Sequence, residues 1–459
     1  MKHIISICLL MVFGYILQAQ ENTLTPAFKK ETISQLSKMM NDFYVFPEVA
    51  KKTGEHLNKK LKSGDFDSFT TLESFAKALT TETQSINKDK HMRIRAIRPT
   101  QAKDNSVEKM FEDHINRLNY DRKNPGGFNE AKKLEGNIGY FDIRNFAPLE
   151  VGRDYADSYM KLLSSSDAII VDLRKNGGGD PAMVQYLCSY FFGKKTHLNS
   201  LYYREGDKTY EFWTLDEVNG QKMPDVPLFV LTSDRTFSGA EEFSYNMQTQ
   251  KRATLVGQTT GGGANPGRTM RVNDKIEVFI PVGTAINPIT KTNWEGVGVI
   301  PAIKTSIDET FAKAHELAKV AAENYRNQVK QEQTDLSTAL IKTLNNFDEK
   351  TREQTIYDDI KKCIEAGFLE EWSVNIMGYE YLMSYNKPKV AEAILKTNTM
   401  LFPESANVYD SYGDALSING KLKKALVSFQ QAVDIGKKTN HRDLNVFMDN
   451  VKKTEAQMK

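Results

Sequence analysis

Four stretches decide the fold: NIGYFDI (residues 137–143), DAIIVDLRKNGGGD (167–180), PLFVLTSDRTFSGAEEF (227–243) and ATLVGQTTGGGA (253–264). Each opens on a short β-rich run bounded by Gly, Asp, Asn or Pro, and IEVFIPV (276–282) is a fifth such run. Helical stretches, notably PAMVQYLCSYFF (181–192) and GAEEFSYNMQTQ (239–250), lie between several of them. Strands alternating with helices predict an α/β core with a mainly parallel sheet covered by helices. Ligand-facing loops then gather where strands end and helices begin. This texture runs from Asn137 to near Ile307.

Before it, from Thr25 to about Asn87, apolar residues recur every three or four positions, with Pro47 and Gly64 as breaks. That spacing predicts a bundle of three helices. Residues 104–133 read as a polar, charged connection with a loop at Pro125-Gly126-Gly127. After the core a long helix is expected over about 311–330, and the rest is helical with an internal repeat. Ala391 and Ala425, Leu395 and Phe429, Leu382 and Leu416, and Tyr379 and Gly413 each stand 34 apart. That period and its small–large pattern resemble a tetratricopeptide pair, with a degenerate unit upstream between Tyr357 and Trp372. Such repeats usually offer a concave surface to another polypeptide.

The 459 residues are 40% hydrophobic and 26% charged, too apolar for disorder. Lys plus Arg number 61 against 59 for Asp plus Glu, so nothing suggests a nucleic-acid binder. Lys2 and His3 precede an apolar run from Ile4 to Leu17, and Leu17 and Ala19 occupy the positions read by a signal peptidase before Gln20. Residues 1–19 are therefore expected to be an export signal, and the mature chain to be periplasmic or secreted without a membrane span. Of three cysteines, Cys8 falls in that signal, while Cys188 and Cys363 read as buried small hydrophobes. No HExxH or paired His/Cys spacing implies a metal, and no cofactor is expected.

Three loops carry possible chemistry, the third being GQTTGGGANPGR (257–268), another glycine-rich strand exit. Gly177, Gly178 and Gly179 leave a strand without Cβ obstruction and precede a helix, where backbone donors favour negative charge. Ser238, followed by Gly239 and Ala240 at a helix start, is placed as an exposed nucleophile. On local sequence alone the plain N-cap, with Glu241 at the capping-box position, is the favoured reading. In NWEGVGVIP (293–301) Glu295 lies beside glycines, which alone suits a solvated turn, and His91 at a helix-to-strand junction alone suits a structural histidine.

Taken in order, NIGYFDI, DLRKNGGGD, TFSGAEEF, GQTTGGGA and WEGVGVIP resemble the core of the tail-specific (C-terminal processing) serine protease family. YVFPEVA (44–50) and DKHMRI (89–94) resemble its branch containing the tricorn core and interphotoreceptor retinoid-binding modules. The resemblance implies a crotonase-like (ClpP-like) fold. It places the nucleophile on Ser238, the oxyanion hole on Gly239 with Gly178 or Gly179, the base on His91 and the orienting acid on Glu295. Gly263 stands where another branch has its lysine base, and Glu241 is a rival acid because that branch uses its position. About 45 residues separate His91 from Asn137, too few for the PDZ domain usual in the family. Ala302, Gln258 and Asn265 also depart from the commoner family residues.

The resulting expectation is an exported serine endopeptidase acting on peptides or unfolded tail segments. Residues 20–100 form a helical domain, 101–310 the peptidase core, 311–335 a linker helix and 336–459 tetratricopeptide-like repeats open to a protein partner. The alternatives are a non-catalytic module of the same fold binding a hydrophobic ligand or peptide, and a scaffold with a vestigial core.

Overall fold

The computed structural model describes residues 24–97, 106–123, 125–348 and 353–459. The expected export signal lies outside them. Two compact units divide between Tyr325 and Arg326.

The first unit opens with α1 (Pro26–Phe43), α2 (Pro47–Lys62) and α3 (Leu72–Asn87). Proline begins α1 and α2, where its missing N–H costs nothing, and Thr25 and Thr71 cap α1 and α3 by accepting from Phe28 N and Ser74 N. Ile33, Leu36, Met40, Leu57, Phe75 and Leu79 bury the faces that these helices share. The chain reverses at Lys88 in a left-handed turn (φ 59°) and enters β1 (Arg93–Ala96). The stretch read as a polar connection instead folds into α4 (Val107–Lys123) and β2 (Phe128–Leu134). Charged residues interleave the apolar stripe of α4, whose Met110, Phe111, Ile115 and Leu118 stay exposed, so composition hid the helix.

Next come β3 (Ile138–Ile143), α5 (Leu149–Leu163), β4 (Ala168–Asp172), α6 (Pro181–Ser189), β5 (His197–Tyr203), β6 (Lys208–Trp213) and β7 (Leu228–Thr232). They are followed by α7 (Gly239–Thr249), β8 (Thr254–Gly257), β9 (Gly267–Arg271), β10 (Ile276–Pro281), β11 (Gly283–Ile286) and β12 (Ile303–Lys304). The central sheet has the order β12-β8-β7-β4-β3-β2, parallel except for β2. Strands β3, β4 and β7 are buried at every residue, as mainly apolar runs are when both faces are covered, and the two aspartates among them, Asp142 and Asp172, are paired with Arg144 and Arg174. Phe141, Ile143, Ile169, Val171 and Val230 face the core built with α5, α6 and α7. Ile138, Tyr140, Ile170, Phe229 and Leu231 face α8 (Thr310–Asn345), whose Ala314, Ala318 and Ala322 pack on the sheet.

IEVFIPV forms a strand but not in this sheet. β10 pairs antiparallel with β1 and β9, and a third sheet has the order β11-β5-β6. The reason lies in its alternation: Ile276, Val278 and Ile280 are buried against the helical bundle, while Glu277 and Phe279 point the other way.

The second unit continues through α9 (Glu353–Glu365), α10 (Glu371–Tyr379), α11 (Pro388–Leu401), α12 (Ala406–Ile418), α13 (Leu422–Thr439) and α14 (Leu444–Gln457). Cys188 and Cys363, one in each unit, are free and buried. Among the described residues no helix is long and apolar enough to cross a membrane. The fold is thus mixed α/β with helical regions at both ends.

Candidate active site

The site begins at the turn from β7 into α7. Ser238 holds φ 55° and ψ −122°, a conformation that costs a non-glycine residue about 1–3 kcal/mol. Its neighbours enforce it. Glu241 Oε2 accepts from Ser238 N at 2.9 Å and from Gly263 N at 2.8 Å, while Oε1 accepts from Gly262 N at 2.6 Å and Thr260 Oγ1 at 2.5 Å. Both oxygens of Glu241 are therefore occupied, and this buried carboxylate pins the Ser238 turn to the loop after β8. It is a tie between loops, with no free oxygen to orient a base. Phe237 N also donates to Asn176 O at 3.1 Å, fixing the turn to the glycine loop after β4.

That glycine loop runs close beneath Ser238. A β-carbon at Gly178 (φ 106°) would lie 2.7 Å from Ser238 Cβ and 2.8 Å from Gly239 N. The Gly178 N–H, one of the two expected from this loop, is committed to Asn176 Oδ1 at 2.8 Å. Among the described residues Gly179 N and Gly239 N have no hydrogen-bond partner. A β-carbon at Gly239 would lie 3.1 Å from Gly179 N, so these two open amides are neighbours. Two unengaged N–H groups beside a hydroxyl form a ready site for a negative oxygen.

His91 approaches from the other side. α3 ends at Asn87, whose side chain accepts from Asp89 N at 2.9 Å, and Asp89 Oδ1 accepts from His91 N at 3.0 Å. The imidazole lies between Phe237 (centroids 4.6 Å apart) and Phe279 (5.9 Å). A β-carbon at Gly263 would come within 2.7 Å of His91 Cε1, so glycine clears room for the ring. Burial, then the positive charge of Arg93, hold the His91 pKa down at about 4. The ring is thus a neutral base throughout the physiological range. No hydrogen bond joins Ser238 to His91 among the described residues, although His91 packs on the residue preceding Ser238.

Glu295 closes the site. Its Oε2 accepts from Ala264 N at 2.6 Å and Asn265 N at 3.2 Å. Its other oxygen, Oε1, and His91 Nδ1 are both buried without a partner. Asp89, His91 and Glu295 each offer one atom within 4.8 Å of the others, a set that could also hold a metal ion. Burial, then the charge of Asp89, push Glu295 up to about 8. Asp89 is itself raised by burial, against hydrogen bonds from Asn265 and Tyr44.

The sequence of residues 137–305 matches the family described as Peptidase family S41, and residues 20–125 match the N-terminal domain of Peptidase S41 in eukaryotic IRBP. The chain belongs to peptidase family S41. The family resemblance read from the ordered motifs is borne out. This S41 chain is similar to the carboxy-terminal processing protease CtpB of Bacillus subtilis (strain 168), with 23% identity over 254 residues, 55% of this chain and 50% of that one. A "Probable CtpA-like serine protease" of Staphylococcus haemolyticus (strain JCSC1435) is 24% identical over 249 residues, 48% of this chain and 50% of that one. The chain spans about half the length of the curated relatives it matches. Among solved structures, the tricorn protease superposes with a TM-score of 0.41 at 14% identity, covering 65% of this chain and 37% of that one.

Several residues of this candidate site escaped the sequence reading. Asn176 decides which loop amide stays open, and the Asn-x-Gly spacing was a signal for it, since Asn side chains bond two residues on. Asp89 sat in the quoted DKHMRI stretch without a role. Phe237 carried no local signal, because its importance arises only when β1 is brought against the Ser238 turn.

Proposed function

We propose that this chain is an exported serine endopeptidase, hydrolysing peptides or unfolded tail segments of proteins. In this reading Ser238 is the nucleophile, His91 the general base and Glu295 the acid that orients it. The observation that carries it is the pair of buried orphans, His91 Nδ1 and Glu295 Oε1, in one cluster. Each is the other's natural partner, and an Nδ1–H donated to an ionised Glu295 leaves Nε2 free to take the Ser238 proton. Attack by Oγ on a peptide carbonyl puts negative charge on its oxygen, to which the amides of Gly179 and Gly239 donate hydrogen bonds. Each donor is worth roughly 3 kcal/mol in such a hole. His91 then returns the proton to the leaving amine, and a water repeats the sequence to release the acyl group.

The doubly covered parallel sheet with its strained serine turn suits a crotonase-like core. The helices beyond residue 336 suit a tetratricopeptide-like region offered to substrate or partner proteins. Two contacts favour that repeat: a β-carbon at Gly378 would meet Leu395 at 2.5 Å, and one at Gly413 would meet Phe429 at 2.5 Å. The test is cleavage of an unfolded protein such as reduced, alkylated casein. Wild type should generate new peptide termini and Ser238→Ala none. Equal cleavage by both would remove Ser238 from the mechanism.

A further inference from the structure

Beside His91 the antiparallel sheet β1-β10-β9 turns its second face away from the helical bundle. His91, Arg93 and Arg95 follow one another at every second position and so share that face. The register places Arg93 opposite Phe279 and Arg95 opposite Glu277, with Thr269 and Arg271 beyond them on β9. A cleft of about 140 Å³ opens here, lined by His91, Arg93, Arg95, Phe237, Glu277 and Phe279. That volume suits one side chain rather than a drug-sized ligand.

Charge on this face is unbalanced, because three arginines surround the single carboxylate of Glu277. Among the described residues none of them forms an ion pair within 4 Å of it. Arg93 is positioned in advance: its Nε donates to Lys90 O at 3.1 Å, and its guanidinium lies 5.9 Å from the centre of the Phe237 ring. Its terminal nitrogens make no hydrogen bond among the described residues. Arg95 is exposed and makes no side-chain hydrogen bond or ion pair there. A planar fork of donors is the shape that takes a carboxylate two-pronged.

We propose that this cleft is a specificity subsite in which Arg93 and Arg95 bind an acidic side chain of the substrate, next to the scissile bond. The assignment rests on the peptidase reading above and names its substrate class.

The experiment uses peptides acetylated at one end and amidated at the other, so that no terminal carboxylate is present. A single Glu is walked through the positions flanking the cleaved bond, each with a Gln counterpart, in wild type, Arg95→Gln, Arg93→Gln and Arg95→Glu. At one position kcat/KM should be about tenfold higher for Glu than for Gln, the size expected of one charge-assisted contact near the surface. That ratio should shrink with added salt, fall to within about twofold in both Gln variants, and turn toward Lys peptides in Arg95→Glu. Equal cleavage of Glu and Gln peptides at every position would overturn the subsite and leave the peptidase reading standing. Binding of the same peptides to Ser238→Ala, read by fluorescence anisotropy, separates the two claims. A Glu preference in binding without cleavage by wild type would keep the carboxylate site and overturn the peptidase, whereas indifferent binding would overturn the site.

Discussion

Alanine placed in turn at Gly177, Gly178 and Gly179 should give three different proteins. At Gly177 nothing lies within 4 Å of an added β-carbon, so stability should stay within about 0.5 kcal/mol of wild type. At Gly178 the added carbon meets Ser238 Cβ at 2.7 Å, Gly239 N at 2.8 Å and Phe237 O at 2.8 Å, all on the Ser238 turn. A β-carbon at its φ of 106° costs about 1–3 kcal/mol, and relieving the overlap costs about 1–3 more. The sum, about 2–6 kcal/mol, leaves a domain of ordinary stability folded but weakened. The displacement falls on Gly239 N, so loss of that donor should also slow reaction about 10²–10³-fold. At Gly179 the β-carbon would lie 2.0 Å from Phe146 O, a backbone atom no rotamer change can move, and that variant should not fold stably. Urea denaturation and the rate of labelling by a fluorophosphonate read the two effects separately. Gly178→Ala with wild-type stability and labelling, or Gly177→Ala as damaged as its neighbour, would refute the placement of this loop under Ser238.

Other outcomes follow from the carboxylates. Glu295 must be ionised to accept from His91 Nδ1, and its pKa lies at about 8 while that of His91 lies at about 4. Labelling should therefore rise with pH between about 6 and 9, tenfold per unit below the midpoint, rather than follow an ordinary histidine near 6.5. Asp89→Asn removes the charge that adds to burial in raising Glu295, so the rising limb should move to lower pH; an unmoved limb would exclude Glu295 as its source. Glu241→Gln replaces an acceptor of four donors by a group that presents two N–H donors to them. It should cost about 2–4 kcal/mol in urea denaturation. Full stability with selective loss of labelling would return Glu241 to the role of catalytic acid.

The parts legible in the sequence were those whose physics is local. Mainly apolar runs at Ile138–Ile143 and Leu228–Thr232, interrupted only by Gly139, Asp142 and the terminal Thr232, suit burial on both faces and so a covered parallel sheet. The alternation of Ile276, Val278 and Ile280 carried the opposite message, one wet face, and should have separated β10 from that sheet. The two local readings of Ser238 proved compatible, because Glu241 bonds back to the Ser238 amide as a capping box does while the residue keeps its strained turn. The choice between Gly178 and Gly179 needed the Asn176 side chain. The approach of His91 to Glu295 was inherited from resemblance, since only the packing of β1 on β10 and of the 261–265 loop on Glu295 brings them together.

The central claim is a histidine-activated Ser238. Wild type, Ser238→Ala and His91→Ala, each shown folded by circular dichroism, are exposed to a fluorophosphonate probe and any adduct is located by mass spectrometry. The account predicts a single adduct on Ser238 in wild type and none in either variant. A folded wild-type protein that takes no label, or one labelled equally without His91, would contradict it.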